Sequence, residues 1–399
     1  MHARDQALIR SRSDSVGLRW LETPHAVLSL GGHWDRLLDE WGTDCVFLRW
    51  DWIRTWLRVY GSRLSLLVGL VTEEEEPIGL APLFLARERV VPFGPRLRAV
   101  RMIGDGPLCP DHLVLPCAPG REEPFAEALF AALHRRRSEW DRIELRDLEG
   151  RDPAWRAFAE RAAAAGLPVR ISERTFCPFV PLPDTWEDYL ARLGSKTRST
   201  IRQRMRKLER SFAVEWSDAA GIEEVDRSLA VLEELHARAW GRRGRTGVFA
   251  DPQFRAFHRI HARRAFRSGR LWLTTMRADG RDAGATLCFV DRAGAHGYQL
   301  GHDPALRKFG VGMLMIVRSI RSSIERGLPE MDFLRGAGPY KFHLADRVRR
   351  GHDLTIHRGT AADRLGRGAE RGRRGTAALV RRLAGQRGKQ WLKDRLRRR

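Results

Sequence analysis

Between Ala295 and Phe342 the chain reads AHGYQLGHDPALRKFGVGMLMIVRSIRSSIERGLPEMDFLRGAGPYKF, and this stretch leaves few folds open. A strand-like run, Ala295 to Leu300, ends at Gly301. A short loop leads to Arg307-x-x-Gly310-x-Gly312 and then to apolar residues at helical spacing, closed by Gly327 and Pro329. A second short strand, Met331 to Leu334, runs into a glycine-rich turn and Pro339-Tyr340-Lys341. Strand, glycine loop and helix N-terminus together make an anion site. Glycines let backbone N–H groups approach a phosphate, and the helix dipole adds partial positive charge. The spelling excludes two common phosphate loops. GxxxxGK[ST] is absent, which removes a nucleotide-hydrolase loop, and no GxGxxG follows the strand, which leaves a dinucleotide fold weak.

The rest of the chain supplies strands and helices of both kinds. Ala26 to Leu30 reads as a short strand, and His33 to Gly42 and Phe47 to Gly61 as helices. Leu64 to Val71 and Ile78 to Ala86 read as a hairpin across the charged turn Glu73 to Pro77, with further strands at Leu97 to Ile103 and Asp111 to Leu115. Helices at 124–137 and 152–165 flank a strand at Trp140 to Leu145, and Asp152-Pro153 has the spelling of a helix start. Strands at 168–172 and 179–182 complete this half. The second half has helices at 185–193, 196–210, 222–239 and 252–268, then strands at 271–276, 285–290 and 295–301. The two halves share an order of helices, strand meander, helix and strand, which suggests a duplicated domain. On this reading 185–269 looks like an insertion or linker.

Length and charge bound the answer further. A chain of 399 residues, 43% of them hydrophobic, has material for two or three cores. No apolar run reaches membrane-helix length, and the start MHARDQALIRSRSDS lacks an apolar signal core, so a cytoplasmic chain is expected. Cys45, Cys109, Cys117, Cys177 and Cys288 are scattered and form no CxxC pair, so neither a metal site nor a disulfide framework is expected. The formal charge is +22, but residues 347–399 alone carry 18 Arg or Lys against four acids. That tail reads either as a solvated extension or as a contact for anionic membrane (the inner membrane included), polymer or RNA. From Lys196 to Arg210, seven of fifteen residues are basic. A helix so charged is either solvated or meets an anion.

Residues 295–342 resemble the acyl-CoA-binding core of the GNAT acetyltransferases, whose pyrophosphate loop is Q/R-x-x-G-x-G/A; Arg307, Gly310 and Gly312 match it. Residues 25–360 as a whole resemble the BioF2-like acetyltransferase group, allied to FemAB-type transferases. The resemblance rests on Phe47-Leu48-x-x-Asp51-Trp52-Ile53, Ser195-Lys196-x-Arg198, Gly301-x-Asp303 and Asp332-Phe333-x-x-Gly336-x-x-x-Tyr340-Lys341. It implies an α/β (α+β) chain of two tandem GNAT-like domains, each a mixed, mostly antiparallel sheet flanked by helices. The expected division is an untethered segment 1–24, a degenerate domain 25–183 without the loop, a domain 184–360 that keeps it, and a basic tail 361–399.

The chemistry implied is acyl transfer from acetyl-CoA or another acyl-CoA, without metal, to a small-molecule, sugar or cell-envelope acceptor of the kind met in bacterial exopolysaccharide metabolism. A FemAB-type transfer from charged tRNA and a non-catalytic binding protein are the alternatives. The backbone of Arg307, Lys308, Phe309, Gly310, Val311 and Gly312 would hold the pyrophosphate, and the strand before it would offer an N–H to the thioester carbonyl. Tyr340 would protonate the leaving thiolate, or else pack on the sheet edge. Asp332 would be a general base, or else an arginine partner; His236 a base, or else a core residue. Lys341, Lys196 and Trp240 are the expected contacts for substrate, Lys341 being otherwise an exposed lysine.

Overall fold

Each half of the chain builds a meander of strands whose apolar side chains face a layer of helices, and the two meanders join into one sheet. The computed structural model describes residues 9–10, 16–89, 95–242, 244, 246–336 and 339–370. In the first half β1 (Ile9–Arg10) and β2 (Val16–Leu21) precede α1 (Pro24–Leu28), α2 (Gly31–Glu40) and α3 (Trp50–Tyr60). Then come β3 (Ser65–Glu73), β4 (Glu76–Arg89), β5 (Arg96–Met102), α4 (Glu122–Arg135), β6 (Arg142–Glu149), α5 (Pro153–Ala164) and β7 (Val169–Pro181). The second half opens with α6 (Trp186–Arg192), α7 (Ser195–Ser211), β8 (Val214–Asp218), α8 (Ile222–Gly241) and α9 (Pro252–Arg267). It continues with β9 (Leu271–Ala278), β10 (Arg281–Val290), β11 (Ala295–His302), α10 (Val311–Glu325), β12 (Glu330–Asp332), α11 (Pro339–Leu344) and β13 (Arg347–His357).

The strands form one 13-stranded sheet in the order β1-β2-β3-β4-β5-β6-β13-β7-β12-β11-β10-β9-β8. The order is nearly a palindrome. β2 to β5 are antiparallel and β5 runs parallel to β6; likewise β8 to β11 are antiparallel and β11 runs parallel to β12. Each half sends its last strand across: β7 pairs with β12, β13 pairs with β6, and the two crossing strands pair with each other. The chain is therefore a mixed α/β fold of two similarly ordered units sharing one sheet.

The helix layer is shared as well. Trp52 of α3 is fully buried, with ring centroids 4.7 Å from Phe257 and 5.1 Å from His261, both on α9 of the other half. The Asp51 carboxylate accepts from the Ser268 hydroxyl at 2.6 Å. The run Phe47-Leu48-x-x-Asp51-Trp52-Ile53 is thus the seam between the halves. Truncating Trp52 there removes about 3–5 kcal/mol of packing.

Several boundaries differ from the sequence reading. Residues 26–30 are not a strand: Pro24 sits in the first turn of α1 and the Thr23 side chain caps it at Ala26 N. The segment 185–269 is no insertion, because β8 edges the sheet and α8 and α9 cover it. β2 lies in the sheet, ahead of the boundary expected at residue 25. The strands expected at 168–172 and 179–182 are one, β7. Beyond residue 360, residues 361–370 are helical and docked. Asp363 is fully buried against His357 at 2.8 Å, and Glu370 meets Arg142 at 2.7 Å. Residues 371–399 lie outside the described residues.

Two parallel pairs, one in each half, decide where a ligand can enter. β11 and β12 pair only at Ala295–Met331 and His296–Asp332, then diverge. β5 and β6 also pair briefly, at 99–101 with 142–144, but their gap is closed. After an excursion over 103–112 the chain returns: Leu113 bridges Leu148 and Cys117 bridges Gly79. The amides of Leu113 and Glu149 complete this bridge to the Asp147 and Leu113 carbonyls, at 3.0 and 2.8 Å. A strand gap therefore stays open in the second half and is zipped shut in the first.

Candidate acyl-transfer site

The open gap is a cavity of about 290 Å³. One side is β11 with Gly297, Tyr298 and Gln299; the other is Met331, Phe333 and Gly336; Ile316 and Ser319 of α10 and His236 and Trp240 of α8 also reach it. β11 carries a bulge here, since the register steps from Leu287–Gln299 to Cys288–Gly297 and leaves Tyr298 without an opposite residue. A bulge unpairs backbone locally and re-aims the strand. α8 lies against β11 because Gly301 has no side chain: a Cβ there would sit 3.0 Å from the His236 N and Leu232 O atoms.

Beside this cavity, at the start of α10, lies an open basin of about 910 Å³ lined by Arg204, Arg242, Arg307 and Lys308, with His302 and Ala239 common to both. None of the four cations has a carboxylate partner among the described residues. Gly310 caps α10 with φ +73°, a left-handed conformation that suits glycine. Arg204 of the basic helix α7 crosses directly over it: a Cβ at Gly310 would lie 2.6 Å from Arg204 Nη1. Gly312 is also close-packed, its notional Cβ 3.2 Å from His302 Nδ1. Free helix N–H groups and cations without carboxylate partners together attract an anion. The charge of α7, ambiguous in the sequence, is thus partly directed at the helix start.

The expected residues fall into distinct places. Arg307 and Lys308 line the basin, while Phe309 and Val311 are buried beneath it, with Phe309 5.1 Å from Phe212, the residue that follows α7. Gly310 and Gly312 supply the close backbone approach. His236 and Trp240 reach the apolar cavity, ring centroids 5.8 Å apart. His236 is 5% exposed, and burial pushes its pKa down to about 4, so the ring is neutral; its Nδ1 has no hydrogen-bond partner. Lys341 lines the cavity but spends its ammonium on three carbonyls, Phe333 O at 2.7 Å, Arg335 O at 2.9 Å and Leu334 O at 3.4 Å, and burial pulls its pKa down. Tyr340 is the second residue of α11, just before it; the Tyr340 side chain lies outside the described residues. Lys196 is exposed in the first turn of α7 and lines neither space, whereas Arg204, two turns on, lines the basin.

Asp332 stands apart from this group. Strand alternation turns it to the face opposite Met331 and Phe333, so it does not line the cavity. It is fully buried, 3.1 Å from His112 Nε2 and 2.9 Å from Arg349, and its other oxygen accepts from Leu334 N at 2.7 Å. Burial would raise its pKa, but His112, His296 and Arg349 hold it below the usual carboxylate range. The alternative of an arginine partner describes it better than a general base.

Sequence reasoning passed over Tyr298, Arg204, Arg242 and His302. Tyr298 was findable: it is one of only four tyrosines, and it sits beside Gln299 in the strand before the loop. The residue lines the cavity, its ring packs 5.1 Å from both Phe289 and His258, and its hydroxyl donates to Leu108 O at 2.6 Å, 3.3 Å from His258 Nε2. No spacing rule brings Arg204 to Gly310; the crossing of two helices does. Among the described residues there is no cluster of three or more His, Cys, Asp or Glu able to hold a metal, and no helix long and apolar enough to cross a membrane.

Residues 195–342 match the family model described as an acetyltransferase (GNAT) domain. A search of curated protein sequences gives no match. Among solved structures, FemX superposes with a TM-score of 0.56 at 11% identity, covering 81% of this chain and 95% of that one. A conserved protein of unknown function from Bacteroides thetaiotaomicron VPI-5482 gives 0.50 at 10% identity, over 85% and 99% of the two chains. A tandem GNAT protein from the clavulanic acid biosynthesis pathway gives 0.47 at 16% identity, over 86% and 99%. The matched region, residues 195–342, spans the basic helix, the divergent strands, the glycine loop and the Tyr340-Lys341 turn, and its similarity is to an acetyltransferase domain.

Proposed function

We propose that the chain transfers an acyl group, acetyl in the simplest case, from acyl-CoA to a nitrogen or oxygen of a small-molecule, sugar or cell-envelope acceptor. The observation that carries this reading is the junction of an apolar strand gap with a cationic basin at the start of α10. A donor with a polyanionic end and an apolar reactive end needs that pair of spaces. The amides of Val311 and Gly312 and the side chains of Arg204, Arg242, Arg307 and Lys308 would take the phosphates, the Gly310 amide being donated to the Arg307 carbonyl at 3.0 Å. The unpaired backbone at the Tyr298 bulge would offer an N–H to the thioester oxygen as it gains charge. Neutral His236, at the wall shared with Trp240, is the proposed acceptor of the proton from the attacking group, and Tyr340 the proposed donor to the leaving thiolate. The N-terminal unit, its own gap closed, contributes no second donor site on this reading.

The aminoacyl-tRNA alternative keeps one specific support, the basic surface of α7 beside the same basin. Thermal unfolding with each ligand separates the two. Acetyl-CoA at a hundred times its Kd is expected to stabilise the protein by about 2.7 kcal/mol. No shift with acetyl-CoA, together with tRNA binding that weakens steeply with salt, would reverse the assignment.

A further inference from the structure

Strain in this chain is concentrated in two kinds of place. Of the seven non-glycine residues with positive φ among the described residues, three occupy hairpin turns, Glu74, Glu75 and Asp279. The other four, Cys109, His112, Asp147 and Leu334, meet where the first half's excursion loop touches the end of β12. Leu334 has φ +52°, an unfavourable conformation for a bulky side chain, and it persists only where surrounding contacts over-determine it.

Those contacts come from both halves. From its own half, Asp332 accepts from Leu334 N, and the Lys341 ammonium gathers the carbonyls of Phe333, Leu334 and Arg335. From the other half, Asp111 takes Arg335 twice, at backbone N (3.0 Å) and at Nε (2.8 Å). Asp147 takes Arg335 Nη2 at 2.8 Å, and the Pro110 carbonyl accepts from the same nitrogen. Asp111 and Asp147 are 1% and 5% exposed, so these are desolvated, geometrically fixed contacts. The held turn, Phe333 to Gly336, is the wall of the cavity that faces the β11 bulge. The same excursion loop also receives the Tyr298 hydroxyl at Leu108 O, so it touches both walls of the gap.

We propose that Arg335, Asp111 and Asp147 are positioning residues for the acyl-transfer site. The N-terminal unit, having closed its own strand gap, holds the reactive wall of the other unit's gap in a strained conformation. The inference rests on the acyl-transfer reading, because it assigns that wall to the acyl end of the donor. It places two of the positioning groups, Asp111 and Asp147, in a half of the chain that lacks the donor loop, so the catalytic domain alone would be incomplete.

The test uses the full-length protein with Asp111→Asn, which keeps shape and removes charge, and Arg335→Lys, which keeps charge and removes the fork. Hydrogen exchange of amides 333–336 and 340–344, measured with no substrate present, is expected to run about tenfold faster in both variants. Exchange equal to wild type overturns the latch whatever the donor is. Steady-state turnover with acetyl-CoA is expected to show kcat down about 100-fold, as a misplacement near 1 Å gives, with the acetyl-CoA KM within about threefold, because the phosphates are held across the gap. A variant that retains wild-type kcat, or one in which the acetyl-CoA KM rises about 100-fold while kcat holds, overturns the positioning role. If wild type itself neither binds nor turns over acetyl-CoA while exchange still accelerates in the variants, the latch stands and the donor assignment falls.

Discussion

Gly310→Ala should loosen the donor more than it loosens the protein. The substitution has two costs that separate cleanly. Holding alanine at φ +73° takes about 1–2 kcal/mol from stability, a fall of about 2–4 °C in Tm per kcal/mol for a domain of this size. The new methyl would also lie 2.6 Å from Arg204 Nη1 and 2.7 Å from its Cδ. Backbone cannot yield there, but the arginine side chain can, so Arg204 swings away from the basin. Losing one charged hydrogen bond to a phosphate costs about 1.5–3 kcal/mol, which weakens binding roughly 10- to 150-fold. Calorimetric titration with acetyl-CoA measures the affinity, and a thermal melt measures the stability. Arg204→Ala should reproduce the affinity loss without the melting shift, and the double variant should lose no more affinity than either single one. Gly310→Ala protein that binds acetyl-CoA within twofold of wild type would refute the assignment of Arg204 and the helix start to the donor's phosphates.

Three other outcomes follow from the geometry. Asp332→Asn should lower unfolding free energy by about 3–5 kcal/mol, because it leaves His112 and Arg349 facing a neutral amide in a buried site; a loss under about 1 kcal/mol in urea unfolding would contradict the ion cluster. For His112, burial lowers the pKa but the contacts with Asp332, Cys177 and Glu149 raise it well above the usual imidazole value. Its stabilisation is therefore complete below the unfolded value of about 6.5 and is lost as pH rises through the raised folded value. The difference in urea midpoint between wild type and His112→Gln should shrink with rising pH, and a difference that grows would reverse the sign. Deleting 371–399 should leave activity on a small acceptor and the melting temperature unchanged. Deleting from residue 360 should lower the melting temperature by removing Asp363 from His357 and Glu370 from Arg142; equal melts for the two truncations would count against the docked helix.

Much of the second half was legible because its signals are local. Apolar periodicity gave α8, α9 and α10, and Asp303 caps the loop before Gly310 as its position before Pro304 implies, accepting from Ala305 N at 2.8 Å. The Asp279-Gly280 turn joins β9 and β10 as its spelling requires. What was not legible depends on contacts distant in sequence. Asp332 read as a candidate base and Lys341 as a candidate substrate contact because the sequence shows their types but not His112, Arg349 or the carbonyls that occupy them. The zipping of the first unit's gap by 113–117 is invisible for the same reason, since a single bridge between Leu113 and Leu148 has no periodic signature. The swap of β7 and β13 between units left the strand order hidden although nearly every strand could be read. α1 was missed for a local reason: its Thr23 cap and Pro24 were spelled out, but five residues are too few for a periodic pattern to show.

The central claim is that one continuous site joins the cationic basin at α10 to the gap between β11 and β12 and accepts an acyl-CoA. Calorimetric titration of the wild-type protein with acetyl-CoA, repeated with Arg204 and Arg307 both changed to alanine, tests it most directly. The account predicts one site per chain with a Kd within the range of about 1 μM to 1 mM usual for enzyme substrates, and at least tenfold weaker binding in the double variant. No heat and no thermal stabilisation at millimolar acetyl-CoA, or equal affinity in the two proteins, would contradict it.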